Sequence, residues 1–397
     1  MTAFRTLGQR VTLKAFNTGV LQNKRLTWVD YLRGITIILV VYHHARVGIE
    51  RSHIIVPEIL VNANMIFYSF RMPLFFVLSG VFINYSLSKK TIKQLSWIKF
   101  ENLLYPYLLW SFIQVTLQIA LSDFTNSTRS IVDYTYIFYQ PRRLDQFWYL
   151  PALFNATMVF FFVLKVLKPS LVMHLVIGLC FYFLSPFTAR FSMISDWMFF
   201  YIFFAIGHVF SDLFFKEAAQ KFFRKATSLL LIIPVFIMAQ VFYLKYEVGQ
   251  QTLAVDVSLS GFEYMFRFTN QLYFLLIALT GCITIFLLSF QLEKWNRLSF
   301  LRVLGCHSLY IYVMHVMVVA FARAVLVKVL GVQSPVLLLT ACLFFGLTVP
   351  VVFYNLCVKD KWGWFLFSFR KRQSPTKESI VEPGGTVRVK QQSIGSP

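Results

Sequence analysis

Three ionisable residues share one stretch of sequence that is otherwise apolar: Asp30, Arg33 and His44. Arg33 and His44 are eleven positions apart, which on an α-helix corresponds to about 1100°, or three turns and ~20°, and to ~16.5 Å along the axis. Their side chains therefore fall on one helical face at two depths, and Asp30 joins that face one turn before Arg33. Ionisable groups inside a membrane helix are costly, so they usually line a site or a pathway.

These residue types could support general-base catalysis beside a bound anion. An imidazole near its ordinary pKa can accept a hydroxyl proton at neutral pH, which makes His44 a candidate base. The planar guanidinium of Arg33 can hold a phosphate or a carboxylate. In the alternative interpretation, Asp30 pairs with Arg33 at the membrane interface and His44 bonds to a neighbouring helix. Three such groups on one face favour function. His43 points about 100° away from His44 and is the weaker candidate.

Long apolar segments must position these residues. Of the 397 residues, 57% are hydrophobic and 14% are charged, against about 25% charged in soluble domains. Segments of roughly 17–25 apolar residues can cross a bilayer as helices, and the period-two alternation of strands is absent. The sequence therefore predicts an all-α, polytopic integral membrane bundle of about ten transmembrane helices, with spans near 30–48, 65–87, 100–121, 147–167, 171–188, 194–214, 228–246, 270–290, 307–327 and 335–358.

Basic residues are concentrated in alternate connections between these spans. The N-terminal arm, the connections after spans two, six and eight, and the C-terminal region are rich in Lys and Arg. Because cytoplasmic loops carry this excess, both termini are predicted to be cytoplasmic. The same rule explains the net charge of +21 without a nucleic-acid partner. The predicted regions are 1–27, a basic cytoplasmic arm; 28–358, the ten-helix membrane domain; and 359–397, a basic, largely disordered cytoplasmic tail.

The second and fourth spans carry further candidate residues. Arg71 could face a water-filled cavity, or its side chain could extend outward to the interface. Ser79 and Gly80 are small enough to permit close approach of a neighbouring helix. Trp148 and Tyr149 open the fourth span, where they could belong to an aromatic belt or stack on a sugar ring.

The third and ninth spans add a second set of polar residues. Lys99 lies at the start of the third span, where interfacial anchoring is the simplest role. Ser308, Tyr312 and His315 occur at i, i+4 and i+7 and form one stripe, which could hydrogen-bond into a helix interface or line a reaction chamber. The five cysteines show no paired spacing, so we expect neither a disulfide framework nor a metal site.

The order of these residues resembles that of the membrane acyltransferase-3 family, which comprises O-acetyltransferase-like integral membrane acyltransferases. The resemblance covers about residues 25–358, most of the chain. It is carried by Asp30-x-x-Arg33, by Arg33 and His44 with ten residues between them, and by the motifs Met72-Pro-Leu-Phe-Phe-Val-Leu-Ser-Gly80, Leu104-Tyr-Pro106, Phe147-Trp-Tyr-Leu150 and Gly305-x-x-Ser308-Leu-x-Ile-Tyr312-x-x-His315. Family members often carry a more arginine-rich run before the third-span proline, where this chain has Lys99, Glu101 and Asn102.

The resemblance implies transfer of an acyl group, most often acetyl from a coenzyme A thioester, to a hydroxyl of a cell-surface glycan or related acceptor. We expect this activity in the bacterial inner (plasma) membrane, with acetyl-CoA as the acyl donor and no metal. The expected catalytic residues are His44 as general base, Arg33 as its partner, and Asp30. Arg33 and Lys99 would meet the phosphates of the donor. The residues expected to contact substrate, some of them at the developing oxyanion, are Arg71, Ser79, Trp148, Tyr149, Tyr312 and His315.

Two other classes of function compete with this expectation. A transporter or flippase for a lipid-linked sugar also needs buried charges and aromatic platforms. A multi-pass scaffold or sensor is the weakest alternative, because it has no need for buried ionisable residues. Release of free thiol from labelled acetyl-CoA would separate an enzyme from both.

Overall fold

The computed structural model describes residues 26–122, 129–246, 261–359, 363–369, 378–381 and 387–390. Within these ranges, ten helices or continuous runs of helices are long and apolar enough to cross a membrane. They coincide with the ten predicted segments, so the all-α, polytopic bundle is confirmed. Most of the predicted arm 1–27 lies outside the described residues.

The helices are numbered here in chain order. Those of the first five spans and their connections are α1 (Thr27–Glu50), α2 (Glu58–Val81), α3 (Ile83–Lys89), α4 (Ile92–Lys99), α5 (Tyr105–Ala120), α6 (Tyr136–Tyr139), α7 (Tyr149–Leu167) and α8 (Leu171–Leu184). Those that follow are α9 (Ser192–Val209), α10 (Ser211–Phe215), α11 (Glu217–Phe223), α12 (Ala226–Tyr246), α13 (Gly261–Trp295), α14 (Ser299–Cys306), α15 (Ser308–Ala324) and α16 (Pro335–Lys359).

Short helical turns of other types join or extend these helices. A π-helical turn, Phe100–Leu104, connects α4 to α5, and another, Val325–Val329, prolongs α15. The 3₁₀ turns are Ile131–Thr135, Pro141–Leu144, Ser185–Thr188 and Trp364–Leu366. Because successive spans run in opposite directions, their ends form two faces. We call the end at which α1 begins, at Thr27, the N face, and the end at which it finishes, at Glu50, the far face.

Helix α1 occupies the centre of the bundle. It packs against α2, α13, α14, α15 and α16, whereas α9 packs against α2, α7 and α8. Aromatic side chains fill much of the interior near the N face, where the buried Trp28 ring stacks with Phe82 and Phe290. Around much of its circumference, α1 therefore presents its side chains to neighbouring helices of the protein.

Two glycines bring α14 into direct backbone contact with α1 near the N face. A Cβ atom on Gly305 would overlap the carbonyl oxygen of Asp30, and one on Gly34 would overlap that of Leu301. Only glycine leaves room for this approach. Between α2 and α9, Gly80 meets the Phe204 carbonyl in the same way, which agrees with the close approach predicted for Ser79 and Gly80.

The segment 363–369 returns to the N face after α16. The indole N–H of Trp110 donates to the Leu366 carbonyl at 2.8 Å, and the Tyr105 hydroxyl donates to the Phe365 carbonyl at 2.5 Å. Both ends of the bundle therefore lie on one face, as an even number of spans requires. The assignment of this face to the cytoplasm stays a prediction.

The predicted tail, 359–397, is described only in part. Strand β1 (Glu378–Val381) pairs antiparallel with β2 (Val387–Lys390), with Glu378 opposite Lys390 and Val381 opposite Val387. Together with 363–369, this hairpin is what the structure describes after α16. The rest of the tail lies outside the described residues, and its predicted disorder stays a prediction.

Candidate active site

Three histidine side chains meet between α1 and α15. The ring centroids of His43 and His44 are 4.9 Å apart, and those of His44 and His315 are 5.0 Å apart. The i, i+4, i+7 stripe predicted on the ninth span thus delivers one of its members to His44. His43, which the helical angle made the weaker candidate, lies in the same cluster.

The hydrogen bonds of His315 fix which of its nitrogens carries a proton. Nδ1 lies 2.8 Å from the Tyr312 carbonyl oxygen and 3.1 Å from that of Ile311. A carbonyl can only accept, so Nδ1 is the donor, and Nε2 of the neutral ring holds a lone pair. Nε2 is buried and has no hydrogen-bond partner among the described residues. His315 therefore offers an acceptor inside the cluster.

The same reasoning fixes His43. Its Nδ1 lies 3.1 Å from Oδ1 of Asn64 on α2, and Arg71 donates to the same oxygen at 3.2 Å. Because a guanidinium can only donate, the shared atom of Asn64 is the oxygen and His43 Nδ1 must also be a donor. The Nε2 atom of neutral His43 is then an acceptor. Asn64 therefore orients two polar groups, and it was not a candidate from the sequence.

His44 is the histidine of the cluster that is left available. In the part of the chain that the structure describes, its ring contacts His43 and His315 but its nitrogens make no hydrogen bond. The ring is half-buried and lines a cavity. An imidazole in this setting can exchange a proton with a molecule bound in the cavity.

The cavity occupies the half of the bundle nearer the far face and has a volume of about 1010 Å³. This is at the upper end of the roughly 300–1,000 Å³ typical of small-molecule sites. Of the predicted site residues, it is lined by His44, Arg71, Trp148 and Tyr312, together with His43. Its wall also includes residues that the sequence did not single out: Gln114, Arg142, Asp145, Gln146 and Arg323.

Arg142 and Trp148 form one side of the cavity. The Arg142 guanidinium carbon lies 4.2 Å from the Trp148 ring centroid, and its Nε donates to the buried Asp196 carboxylate at 2.6 Å. Burial alone would lower the pKa of Arg142, but the Asp196 carboxylate raises it above its ordinary value. Arg142 is therefore held as a cation whose charge is balanced, and one face of the Trp148 ring is covered.

Tyr149 and Tyr312 lie next to this side of the cavity, in the direction of the N face. Their ring centroids are 5.3 Å apart, and the Tyr312 hydroxyl donates to the Gln146 carbonyl. Tyr149 is buried and does not line the cavity. An oxyanion role for Tyr312 would require its O–H to leave Gln146. The substrate contacts predicted for both tyrosines stay predictions.

Arg33 and Lys99 lie closer to the N face. Their positive charges interact with each other, and Arg33 also interacts electrostatically with the Tyr149 hydroxyl. Neither cation is among the residues that line the cavity. Tyr149 therefore has Arg33 in its electrostatic surroundings and the Tyr312 ring of the cavity wall in contact with it. Both residues are nearer to the N face than His44 is, and their predicted contact with the donor phosphates stays a prediction.

Two further predicted residues, Asp30 and Ser79, lie outside the cavity wall, and their predicted roles stay predictions. Asp30 is buried, and its backbone carbonyl is the one that Gly305 approaches. The Ser79 hydroxyl donates to the Phe75 carbonyl of its own helix at 2.9 Å, and Ser79 is not part of the cavity wall. Among the described residues, no group of three His, Cys, Asp or Glu side chains could hold a metal ion.

The connection between α5 and α7 forms part of the cavity wall near the far face. Asp145 lines the cavity, pairs with Arg51 of the α1–α2 connection at 3.2 Å, and has a positive φ of 59°. Arg129 pairs with both Asp133 and Asp145. The connection contains both basic and acidic residues, and these ion pairs bring several of the opposite charges together.

A family model described as an acyltransferase domain matches residues 26–355, which include every helix of the bundle described above apart from the last turn of α16. The chain belongs to the acyltransferase-3 family. The family resemblance given by the sequence motifs is therefore confirmed, and the protein is a membrane acyltransferase by family. Neither a curated protein nor a solved structure matches the chain.

The functional-site residues that the sequence did not single out had different kinds of signal. Asn64 precedes Arg71 by seven residues, two helical turns, so the two share a face of α2 and could have been paired from the sequence. The ion pair between Arg142 and Asp196 joins residues 54 positions apart. No local pattern indicates such a contact.

Proposed function

We propose that this acyltransferase moves an acetyl group from acetyl-CoA to a hydroxyl of a cell-surface glycan, with His44 as the general base. One observation carries the proposal: His44 faces a cavity large enough for a sugar unit, and its ring nitrogens make no hydrogen bond to the described residues, while its two neighbours are fixed by hydrogen bonds. Membership of the acyltransferase family supplies the reaction class.

In the proposed reaction, His44 accepts the proton of the acceptor hydroxyl as that oxygen attacks the thioester carbonyl. The new C–O bond gives a tetrahedral intermediate, and its collapse breaks the C–S bond. The departing sulfur takes the proton from His44, so the products are an O-acetyl ester and free coenzyme A. The imidazole returns to its neutral form without a covalent intermediate.

His315 is proposed as a positioning residue for this base. Its Nε2 lone pair is buried beside the His44 ring, and the two ring centroids are 5.0 Å apart. When His44 gains a proton, its second N–H needs an acceptor, and a small rotation would bring it to His315 Nε2. Bases in many enzymes are oriented by a third group in this way.

The two substrates are proposed to approach from opposite faces. Acetyl-CoA would approach from the N face, where Arg33 and Lys99 place two cations near each other, and the glycan would enter the cavity at the far face. With the N face in the cytoplasm of a bacterial inner (plasma) membrane, each substrate meets its own compartment. Trp148 would pack against the sugar, and the buried amides of Gln114 and Gln146, joined at 2.8 Å, would provide further polar contacts.

The direct test uses purified protein in lipid nanodiscs with labelled acetyl-CoA and a glycan acceptor. Wild-type protein should release free thiol and form labelled ester. His44→Ala should lower turnover by about 10²–10⁴-fold, the usual contribution of a general base, with helix content and thermal unfolding unchanged. The exposed His53, beyond the end of α1, provides a matched control. His53→Asn should retain wild-type turnover.

Two results would contradict the proposal. Normal turnover in folded His44→Ala protein would remove His44 as the base. Movement of a lipid-linked sugar between leaflets without thiol release would replace the acyltransferase reaction by the transporter or flippase alternative.

A further inference from the structure

Arg71 is a cation with little to neutralise it at a depth where charge is costly. It lies thirteen residues inside α2, only 4% of its surface is exposed, and it lines the cavity. Its side chain extends back toward the far face, as helical side chains do, and reaches Asn64 two turns away. Burying a guanidinium with an amide as its hydrogen-bond partner is costly, which indicates a functional role for the charge.

The partners of Arg71 leave most of its donors available. A guanidinium has five N–H donors. Among the described residues, one hydrogen bond engages it, from Nη1 to Asn64 Oδ1 at 3.2 Å, and its carbon lies 5.3 Å from the Tyr68 ring centroid. The carboxylates of the described residues form no ion pair with it within 4.0 Å. Because Arg71 lines the cavity, its remaining donors are within reach of a molecule bound there.

Three other arginines near the cavity differ from Arg71, whereas Arg323, which is buried and lines the cavity, resembles it in forming no ion pair with a carboxylate of the described residues. Arg142 pairs with Asp196, Arg51 with Asp145, and Arg46 on α1 with Glu50. Each of these guanidinium groups has its carboxylate within the protein. Among the described residues, the cavity therefore carries an excess of positive charge at Arg71 and Arg323. Of these two, Arg71 is the one next to the histidine cluster, because it shares the oxygen of Asn64 with His43.

We propose that the acceptor is an acidic glycan unit whose carboxylate or phosphate binds Arg71 beside the hydroxyl that is acylated. A planar guanidinium matches both anions with paired hydrogen bonds. Arg71 and His43 share the oxygen of Asn64, and the His43 ring centroid is 4.9 Å from that of His44, so the anion and the reacting hydroxyl would lie on one sugar or on adjacent sugars. The inference rests on the proposed function, since it assigns the substrate class of that same site.

Binding tests the inference without requiring turnover. Methyl β-glucuronide, methyl β-glucoside and methyl β-glucoside 6-phosphate share one sugar ring and differ in the group at C6. Calorimetry on the protein in nanodiscs should show the two acidic probes binding about 10- to 100-fold more tightly than the neutral one, the worth of a hydrogen-bonded charge. The ratio of the two acidic probes distinguishes a carboxylate ligand from a phosphate ligand.

Variants assign the preference to Arg71. Arg71→Gln should abolish the acidic preference while retaining binding of the neutral probe, and Arg71→Lys should keep part of it. The matched control is Arg46→Gln, which removes one cation of the same region whose side chain does not line the cavity. Equal binding of acidic and neutral probes by wild type would overturn the inference, as would a preference that survives in Arg71→Gln.

The failure of the inference and the failure of the proposed function can be told apart. Acidic preference at Arg71 without any thiol release would retain the anion site and reject the acyltransferase proposal. Thiol release with equal use of acidic and neutral probes would do the reverse. With succinyl-CoA in place of acetyl-CoA, an Arg71→Gln defect confined to the succinyl donor would assign Arg71 to the acyl group and overturn the inference.

Discussion

The two ends of α1 carry residues of similar chemistry in different surroundings. At the end near the far face, His44 borders a cavity of about 1010 Å³ and has ring nitrogens free of hydrogen bonds to the described residues. At the other end, Asp30 and Gly34 are in backbone contact with α14, and the positive charge of Arg33 acts on that of Lys99. Helical phase puts Arg33 and His44 on one face, but packing decides which of them can reach a ligand in the cavity.

This contrast suggests separate tasks for the two ends. The His44 end has the groups for proton transfer and for binding an acceptor. The Arg33 end has cations suited to the phosphates of a donor. If this division holds, variants at one end should change the chemical step and variants at the other should change donor binding.

After His44→Ala itself, the largest effect is expected at the same end of α1, from His315→Ala. Loss of the Nε2 acceptor should lower kcat by about 10- to 100-fold, as for orienting partners of other functional imidazoles. The acidic limb of the pH profile of kcat should move to lower pH, because the imidazolium form of His44 loses an acceptor. Steady-state kinetics between about pH 5 and pH 9, which includes the range in which histidines titrate, would measure both kcat and the position of the acidic limb.

A purely structural role for His315 would lower activity without moving that limb. His315→Gln, whose amide oxygen can accept a hydrogen bond, should restore part of the activity. The control is His307→Gln just before α15, where the ring of His307 bonds to the Val303 carbonyl and to Asn355. That variant should keep the wild-type pH profile.

An intermediate effect is expected at the Arg33 end. Arg33→Gln should raise KM for acetyl-CoA by about 10-fold, the lower end for a lost hydrogen bond to a charged group, while kcat and KM for the glycan change little. Initial rates at varied donor concentration would measure it. A drop in kcat with an unchanged donor KM would instead place Arg33 in the chemical step and break the division between the two ends.

The smallest effect on chemistry is expected where the bundle is packed most closely. Gly80→Val would place atoms on the Phe204 carbonyl, and overpacking of this kind costs about 1–3 kcal/mol of stability. Thermal unfolding should occur at lower temperature, and the molecules that fold should keep their turnover. The adjacent Ser79→Ala adds no atoms and should unfold nearly as wild type does. Equal stability of Gly80→Val and wild type would contradict the close contact between α2 and α9.

The sequence was sufficient to predict the spans, because the length of apolar sequence that crosses a membrane as a helix is set by the bilayer thickness. The connection of His44 to His315 was also within reach, since each residue stands on a recognisable polar stripe. The sequence could not show that the cavity ends before it reaches Arg33. That boundary depends on Tyr149, Tyr312 and the packing of several helices. The helical periodicity shows that Arg33 and His44 point in the same direction. It does not show which side chains of other helices fill the space between them.

His43 shows a second limit of reasoning from one helix. Its angle of about 100° from His44 made it the weaker candidate, yet α2 approaches from that side and supplies Asn64. The value of a polar residue on a helix thus depends on its neighbour in space. Arg71 is the reverse case: its depth was plain from the sequence, but the absence of a carboxylate partner within the described residues became visible only in the structure.

The hydrogen bonds from Tyr105 and Trp110 to 363–369 have a practical consequence for protein engineering. A fluorescent protein or purification tag joined directly after residue 359 would displace this strap and leave two donors on the third span to find water. A junction placed after residue 369 would preserve both contacts, so expression trials that compare the two junctions should favour the longer one.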